Sequence, residues 1–99
     1  MPALLSEKEI AEALTTLQGW KLERGAFVRR FAFKSYMDGI RFVEALAVDA
    51  EARDHHPDIL VRYGDVTVFF STHSSGGVTL RDVESARACS AIAPGYGGR

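Results

Sequence analysis

Cysteine is nearly absent: Cys89 is the only one in 99 residues. A disulfide within the chain is therefore impossible, and a zinc site built on cysteines is not expected. Cys89 lies in a small-residue stretch that reads as helix, which marks it as a packing residue rather than a reactive thiol. An excess of charge is also missing. Twelve basic against thirteen acidic residues leave a formal net charge of −1, which gives no electrostatic reason to expect nucleic acid or an anionic membrane as the main partner. No apolar run approaches the roughly 20 residues needed to span a bilayer. The first residues, MPALLSEKE, lack the basic region and apolar core of a secretory signal, so the expected compartment is the cytoplasm. Repeats, low-complexity tracts and internal linkers are absent too. What is left is one soluble domain over residues 1–99. A domain of this size buries only about two-thirds of its extended-chain surface, so pairing with copies of itself is an easy way to bury more.

The apolar residues that are present fall into helical and strand periods. Ser6 and Glu9 have capping-box spacing, and Ile10, Ala13, Leu14 and Leu17 share a helical face up to a stop at Gly19. Two strands are predicted over Trp20–Glu23 and Ala26–Lys34, joined at Arg24-Gly25, with Phe27, Phe31 and Phe33 on the core side. Ser35 caps a long second helix whose stripe is read as Tyr36, Ile40, Val43, Ala47 and Ala50 with Leu46 beside it. Pro57 ends that helix near Asp54. Ile59, Val61 and Tyr63 alternate along a third strand, Gly64-Asp65 suits a two-residue turn, and Val66, Val68 and Phe70 alternate along a fourth. Thr79 caps a last helix carrying Val83, Ala86 and Ile92, and the tail Pro94–Arg99 is expected to fray. The order α-β-β-α-β-β-α predicts an α+β fold, a four-stranded antiparallel sheet with three helices on one face. The other face, with Phe69, is then available for an oligomer interface.

All three histidines, His55, His56 and His73, lie within nineteen positions. Two enter the third strand and one follows the fourth, so a hairpin brings them to one end of the sheet. Three readings stand side by side. Loop-end histidines are commonly just solvated or packed. Imidazole is also the commonest metal ligand, but consecutive residues in an extended segment point in opposite directions and no His-Glu-x-x-His spacing occurs. Imidazole finally gives and accepts protons near neutral pH, which suits general acid–base catalysis. Glu51 and Asp54 are placed to orient an imidazole or to bind a polar ring edge. Asp82 stands in a capping-box position after Thr79, a role compatible with one in a site. Ser71, Thr72, Ser74 and Ser75 supply hydroxyls around His73.

The run Glu51, three residues, His55-His56-Pro57, five residues, Tyr63, nine residues, His73, eight residues, Asp82 resembles the pterin-4a-carbinolamine dehydratases in residue type and spacing. The stretch Ser71–Asp82 and the early Gly19-Trp20 extend the likeness over nearly the whole chain. The resemblance implies dehydration of 4a-hydroxytetrahydrobiopterin to quinonoid dihydropterin and water in tetrahydrobiopterin recycling. It implies neither metal nor organic cofactor, a pterin as the small-molecule partner, and homodimers or homotetramers. The family's catalytic histidines fall on His55, His56 and His73. Substrate contacts are expected at Glu51, Asp54, Pro57, Thr72, Ser74, Ser75 and Asp82. One departure is Ile59, where many members carry an aromatic residue. The alternative is a dimerisation or assembly partner that keeps the fold without the catalysis, and a metal-binding regulator comes third.

Overall fold

A computed structural model describes residues 2–99. Local chemistry sets the ends of each element. Helix α1 (Glu7–Thr16) opens on Ser6, whose hydroxyl accepts from the Glu9 N–H while the Glu9 carboxylate accepts from the Ser6 N–H. The Ser6 backbone N–H, seconded by its hydroxyl, holds the Glu9 carboxyl below its usual range. Gly19, at φ +85°, lets the chain reverse. Strands β1 (Lys21–Glu23) and β2 (Ala26–Ala32) follow, joined by Arg24 and Gly25, both at positive φ as a tight hairpin turn requires. Helix α2 (Tyr36–Arg53) is capped by the Ser35 hydroxyl and stops at Asp54, which turns left-handed at φ 50°. Then come β3 (Asp58–Val61), β4 (Asp65–Phe70) and α3 (Leu80–Ile92), the last opening on a second complete capping box between Thr79 and Asp82.

The sheet order is β1-β2-β4-β3, antiparallel throughout. Phe27, Phe31, Val66, Val68 and Phe70 are buried on the face that the helices cover, as predicted. Phe42 of α2 packs on Phe31 at 5.1 Å between ring centroids and on Phe33 at 5.3 Å. Trp20 closes the other side of the core, edge-on to Phe31 at 6.1 Å. Full burial of such side chains contributes about 1.5–3 kcal/mol each. Cys89 sits fully inside, and burial pushes its thiol up to about 12, so it behaves as a small apolar filler. The uncovered face carries Phe69, half-buried, and Leu60, 49% exposed.

Four local expectations are corrected. The buried stripe of α2 is Gly39, Phe42, Leu46 and Ala50, while Tyr36 and Ala47 are exposed. The large ring of Phe42 fills the centre of the core, while Val43, on the adjacent face, packs partly buried against it. Tyr63 does not continue β3; it is 85% exposed in the hairpin turn, where its ring stacks on Tyr36 at 6.5 Å. That turn is centred on Tyr63-Gly64, since the Arg62 N–H donates to the Asp65 carbonyl. The tail does not fray: Ala93–Tyr96 form a 3-10 turn, and Arg99 exchanges both backbone hydrogen bonds with Ala32 at 3.1 Å.

Candidate active site

The left-handed exit at Asp54 places two histidines at once. The His55 N–H still donates to the Ala50 carbonyl, so this residue is anchored to the end of α2. Pro57 keeps the next step extended, and the two imidazoles diverge. His55 turns inward against Phe70, with ring centroids 6.3 Å apart, whereas His56 stays exposed. His73 begins a one-turn 3-10 helix, His73–Ser75, just after β4. A bridge between Thr72 and Gly77 closes the base of that loop, with the Thr72 N–H donating to the Gly77 carbonyl at 2.8 Å.

His55, His56 and His73 line one cleft of about 320 Å³ together with Asp54, Ser71, Thr72, Ser74 and Arg81. The hairpin of β3 and β4 thus unites rings from two separate stretches. Of the expected contact residues, Asp54, Thr72 and Ser74 line this cleft; Glu51, Pro57, Ser75 and Asp82 do not. Asp82 and Glu51 stand behind histidines instead. Ser75 points away, donating its hydroxyl to the Pro2 carbonyl at 2.7 Å.

Asp82 is fully buried and its hydrogen bonds are complete. Its Oδ1 lies 2.6 Å from His55 Nε2. Its Oδ2 accepts from the Thr72 hydroxyl at 2.7 Å and from the Thr79 N–H at 2.8 Å. Because Thr72 has only one hydroxyl proton and spends it on Asp82, the 2.8 Å contact between the two threonine hydroxyls runs from Thr79 to Thr72. The Thr79 oxygen in turn accepts from the Arg81 N–H. A directional chain therefore converges on one carboxylate. A carboxylate that only accepts requires the proton of neutral His55 to sit on Nε2, which leaves Nδ1 as the free lone pair. Cap and site support are the same residue here.

His56 Nε2 makes a short hydrogen bond to a Glu51 carboxylate oxygen, with both side chains largely in solvent. The His73 ring has no protein hydrogen-bond partner among the described residues. No group of three or more His, Cys, Asp and Glu side chains among those residues is arranged to hold a metal ion.

Arg81 was not singled out by sequence reasoning, although a signal existed. A cation in the first turn of a helix is disfavoured by the helix dipole. Arg81 resolves this by reaching the C-terminal end of α2, where Nη2 donates to the Asp54 carbonyl at 2.6 Å and to that of Arg53 at 3.4 Å. It ties α3, which carries Asp82, to the end of α2 from which His55 emerges, and forms one wall of the cleft.

A family model described as pterin 4 alpha carbinolamine dehydratase matches residues 3–92. A Mycobacterium avium (strain 104) protein, provisionally named a pterin-4-alpha-carbinolamine dehydratase, is 46% identical over 85 residues, covering 86% of this chain and 90% of that one. A Koribacter versatilis protein of the same provisional name is 39% identical over 94 residues, 95% of this chain and all of its own. Among solved structures, a Brucella melitensis protein described as a transcriptional coactivator/pterin dehydratase superposes with a TM-score of 0.86 at 42% identity, over 90% of this chain and 97% of that one. A pterin dehydratase-like protein identified as a RuBisCO assembly factor in the alpha-carboxysome gives 0.53 at 26%, over 78% and 84%.

Proposed function

The chain belongs to the pterin 4 alpha carbinolamine dehydratase family, and we propose that it dehydrates 4a-hydroxytetrahydrobiopterin to quinonoid dihydropterin and water by histidine acid–base catalysis. The observation that carries this reading is the convergence of His55, His56 and His73 on one cleft. Hydroxide is a poor leaving group, so the 4a hydroxyl must receive a proton as its bond to C4a breaks. The ring nitrogen beside C4a must lose one as the C=N bond forms. One proton enters and one leaves, no electrons are gained or lost overall, and the balance closes on two imidazoles.

In this reading Nδ1 of His55 accepts the ring-nitrogen proton, and Asp82 behind Nε2 stabilises the imidazolium that results. His73, exposed and unencumbered, protonates the departing hydroxyl from the other side. His56, paired with Glu51, positions the pterin and steadies developing charge. Asp54 and Ser74 face the polar ring edges, while Thr72 and Asp82 act through His55 rather than on the substrate. The same reading has the enzyme working without metal or organic cofactor, in pterin recycling in the cytoplasm, with self-association through the uncovered sheet face.

Stopped-flow dehydration of freshly generated 4a-hydroxytetrahydropterin, with and without chelator, tests it. His55→Ala and His73→Ala should each lower the rate by about 10²–10⁴-fold. A dominant loss at His56→Ala would overturn the division of roles. Full activity in a triple-histidine variant, or its abolition by chelator, would overturn the reading.

A second reading draws on the printed descriptions of the two structural neighbours, a coactivator and an assembly factor. It makes this chain a protein-binding partner that keeps the fold. A pure scaffold has no use for a buried histidine–carboxylate pair opening on a cleft, which favours catalysis. Capture of a defined protein partner at full strength by the triple-histidine variant, together with no dehydration by the unaltered protein, would favour the scaffold.

A further inference from the structure

Arg29 occupies an unusual place for a charge. It lies in β2 between Phe27 and Phe31, pairs in register with the buried Val68, and so falls on the helix-covered side of the sheet. Its guanidinium stacks 4.3 Å over the Phe31 ring. Nη1 donates to the Gln18 carbonyl at 3.0 Å and to Ser90 Oγ at 3.1 Å. These neighbours satisfy hydrogen bonds but neutralise nothing, and a half-buried charge without a counter-ion is costly. Arg87 of α3 lines the same cleft, about 390 Å³ in volume, and its Nη2 donates to Thr16 Oγ1 at 3.3 Å. Neither arginine has a carboxylate partner among the described residues, and no acidic side chain lines the cleft.

Ser90 adds a third donor. Its oxygen accepts both from Trp20 Nε1 at 2.7 Å and from Arg29, which uses both lone pairs and leaves its hydroxyl proton without an acceptor among the described residues. The two threonines here do not compete for a ligand, because Thr15 and Thr16 donate their hydroxyls to helix carbonyls. The cleft therefore offers guanidinium N–H groups and one hydroxyl proton, beside the Gln18 amide and the threonine oxygens, at a spot where neither arginine is paired with a carboxylate. It shares no lining residue with the histidine cleft.

We infer that the Arg29–Arg87–Ser90 cleft binds a small oxyanion, the phosphate or carboxylate group of a ligand separate from the pterin. Two arginines and a hydroxyl match the several lone pairs of such a group better than they match a neutral ligand. The inference does not depend on the dehydratase reading.

The only tryptophan of the chain reports directly on this cleft, since Trp20 Nε1 donates to Ser90. Its indole N–H resonance is to be followed during titration with inorganic phosphate and, separately, with acetate, chloride keeping the ionic strength constant. A saturable shift is expected with at least one probe: with phosphate alone for a phosphate-bearing ligand, with acetate alone for a carboxylate. Arg87→Gln, at an exposed position that leaves the core intact, should weaken that binding by about tenfold or more, as expected for loss of a charged hydrogen bond. Arg87→Lys, keeping charge without the fork, should fall between. No saturable shift with either probe, or identical binding in Arg87→Gln, overturns the proposal, as does a phosphate response confined to the His73 ring.

Discussion

Two neighbouring residues, His55 and His56, each hold a carboxylate through Nε2, yet the pairs live in opposite environments. The His55 and Asp82 side chains are 8% and 0% exposed; those of His56 and Glu51 are 54% and 77% exposed. Consecutive residues leaving a helix in extended geometry point to opposite sides, so one step along the chain separates core from solvent. The energetic consequences diverge as well. An exposed pair typically contributes about 0.2–1 kcal/mol and is screened by salt, whereas a buried donor or acceptor left unsatisfied costs about 1–3 kcal/mol, and more if it is charged. One histidine is thus a fixed part of the folded network, and the other is a ring held lightly at the rim.

Asp82→Ala is the hardest blow to this contrast. It removes the acceptor for His55, for Thr72 and for the Thr79 N–H at once, the last being its half of the capping box of α3. Urea denaturation should show a loss of about 3–5 kcal/mol, because three buried donors lose their acceptor at about 1–3 kcal/mol each. Nitrogen NMR of the neutral His55 ring should change from a single Nε2–H tautomer to a mixture, a readout that a purely structural role would not move. Thr72→Val comes next. It deletes one acceptor-bound proton and leaves the Thr79 hydroxyl without its partner, so the expected loss is about 1–3 kcal/mol. Retention of the Nε2–H tautomer in this variant would show that His55 is oriented by Asp82 itself and not by the threonine chain.

Most of this frame was legible from residue order. The capping boxes at Ser6 and Thr79, the turn at Arg24-Gly25 and the buried alternation of Val66, Val68 and Phe70 are local signals that packing did not override. The convergence of three imidazoles followed from hairpin topology alone. What escaped depended on shape and on contacts distant in sequence. In the α2 stripe, Leu46 and Ala50 are buried as expected, but Tyr36 and Ala47 are exposed and Phe42 is missed, because periodicity does not weigh side-chain volume. Docking of Arg99 on Ala32 joins residues 67 positions apart, and no composition rule for a Pro-Gly tail anticipates it. The same limit applies to Asp82, whose spacing from Thr79 predicts a cap but cannot reveal that His55 approaches its other oxygen. Arg81 and Arg29 are the instructive misses. Each is a cation where local physics disfavours one, in the first turn of a helix and on the covered face of a strand, and each is best explained by what lies across from it.

The smallest effect probes the exposed pair. Glu51→Gln keeps the size of the side chain and removes its charge, so stability should change by less than about 1 kcal/mol in urea denaturation. Its kinetic effect has to pass through His56, because Glu51 does not line the cleft. Screening then supplies the discriminating variable: the Debye length falls from about 10 Å at 0.1 M salt to about 3 Å at 1 M. The kcat/KM ratio of unaltered protein to Glu51→Gln, measured by stopped-flow dehydration, should therefore shrink toward one across that range. The corresponding ratio for Thr72→Val, whose target is buried, should hold steady. A Glu51→Gln deficit that ignores salt would mean that bound pterin shuts water away from His56 and Glu51 during turnover, so that the rim pair becomes a buried pair whenever the enzyme is at work.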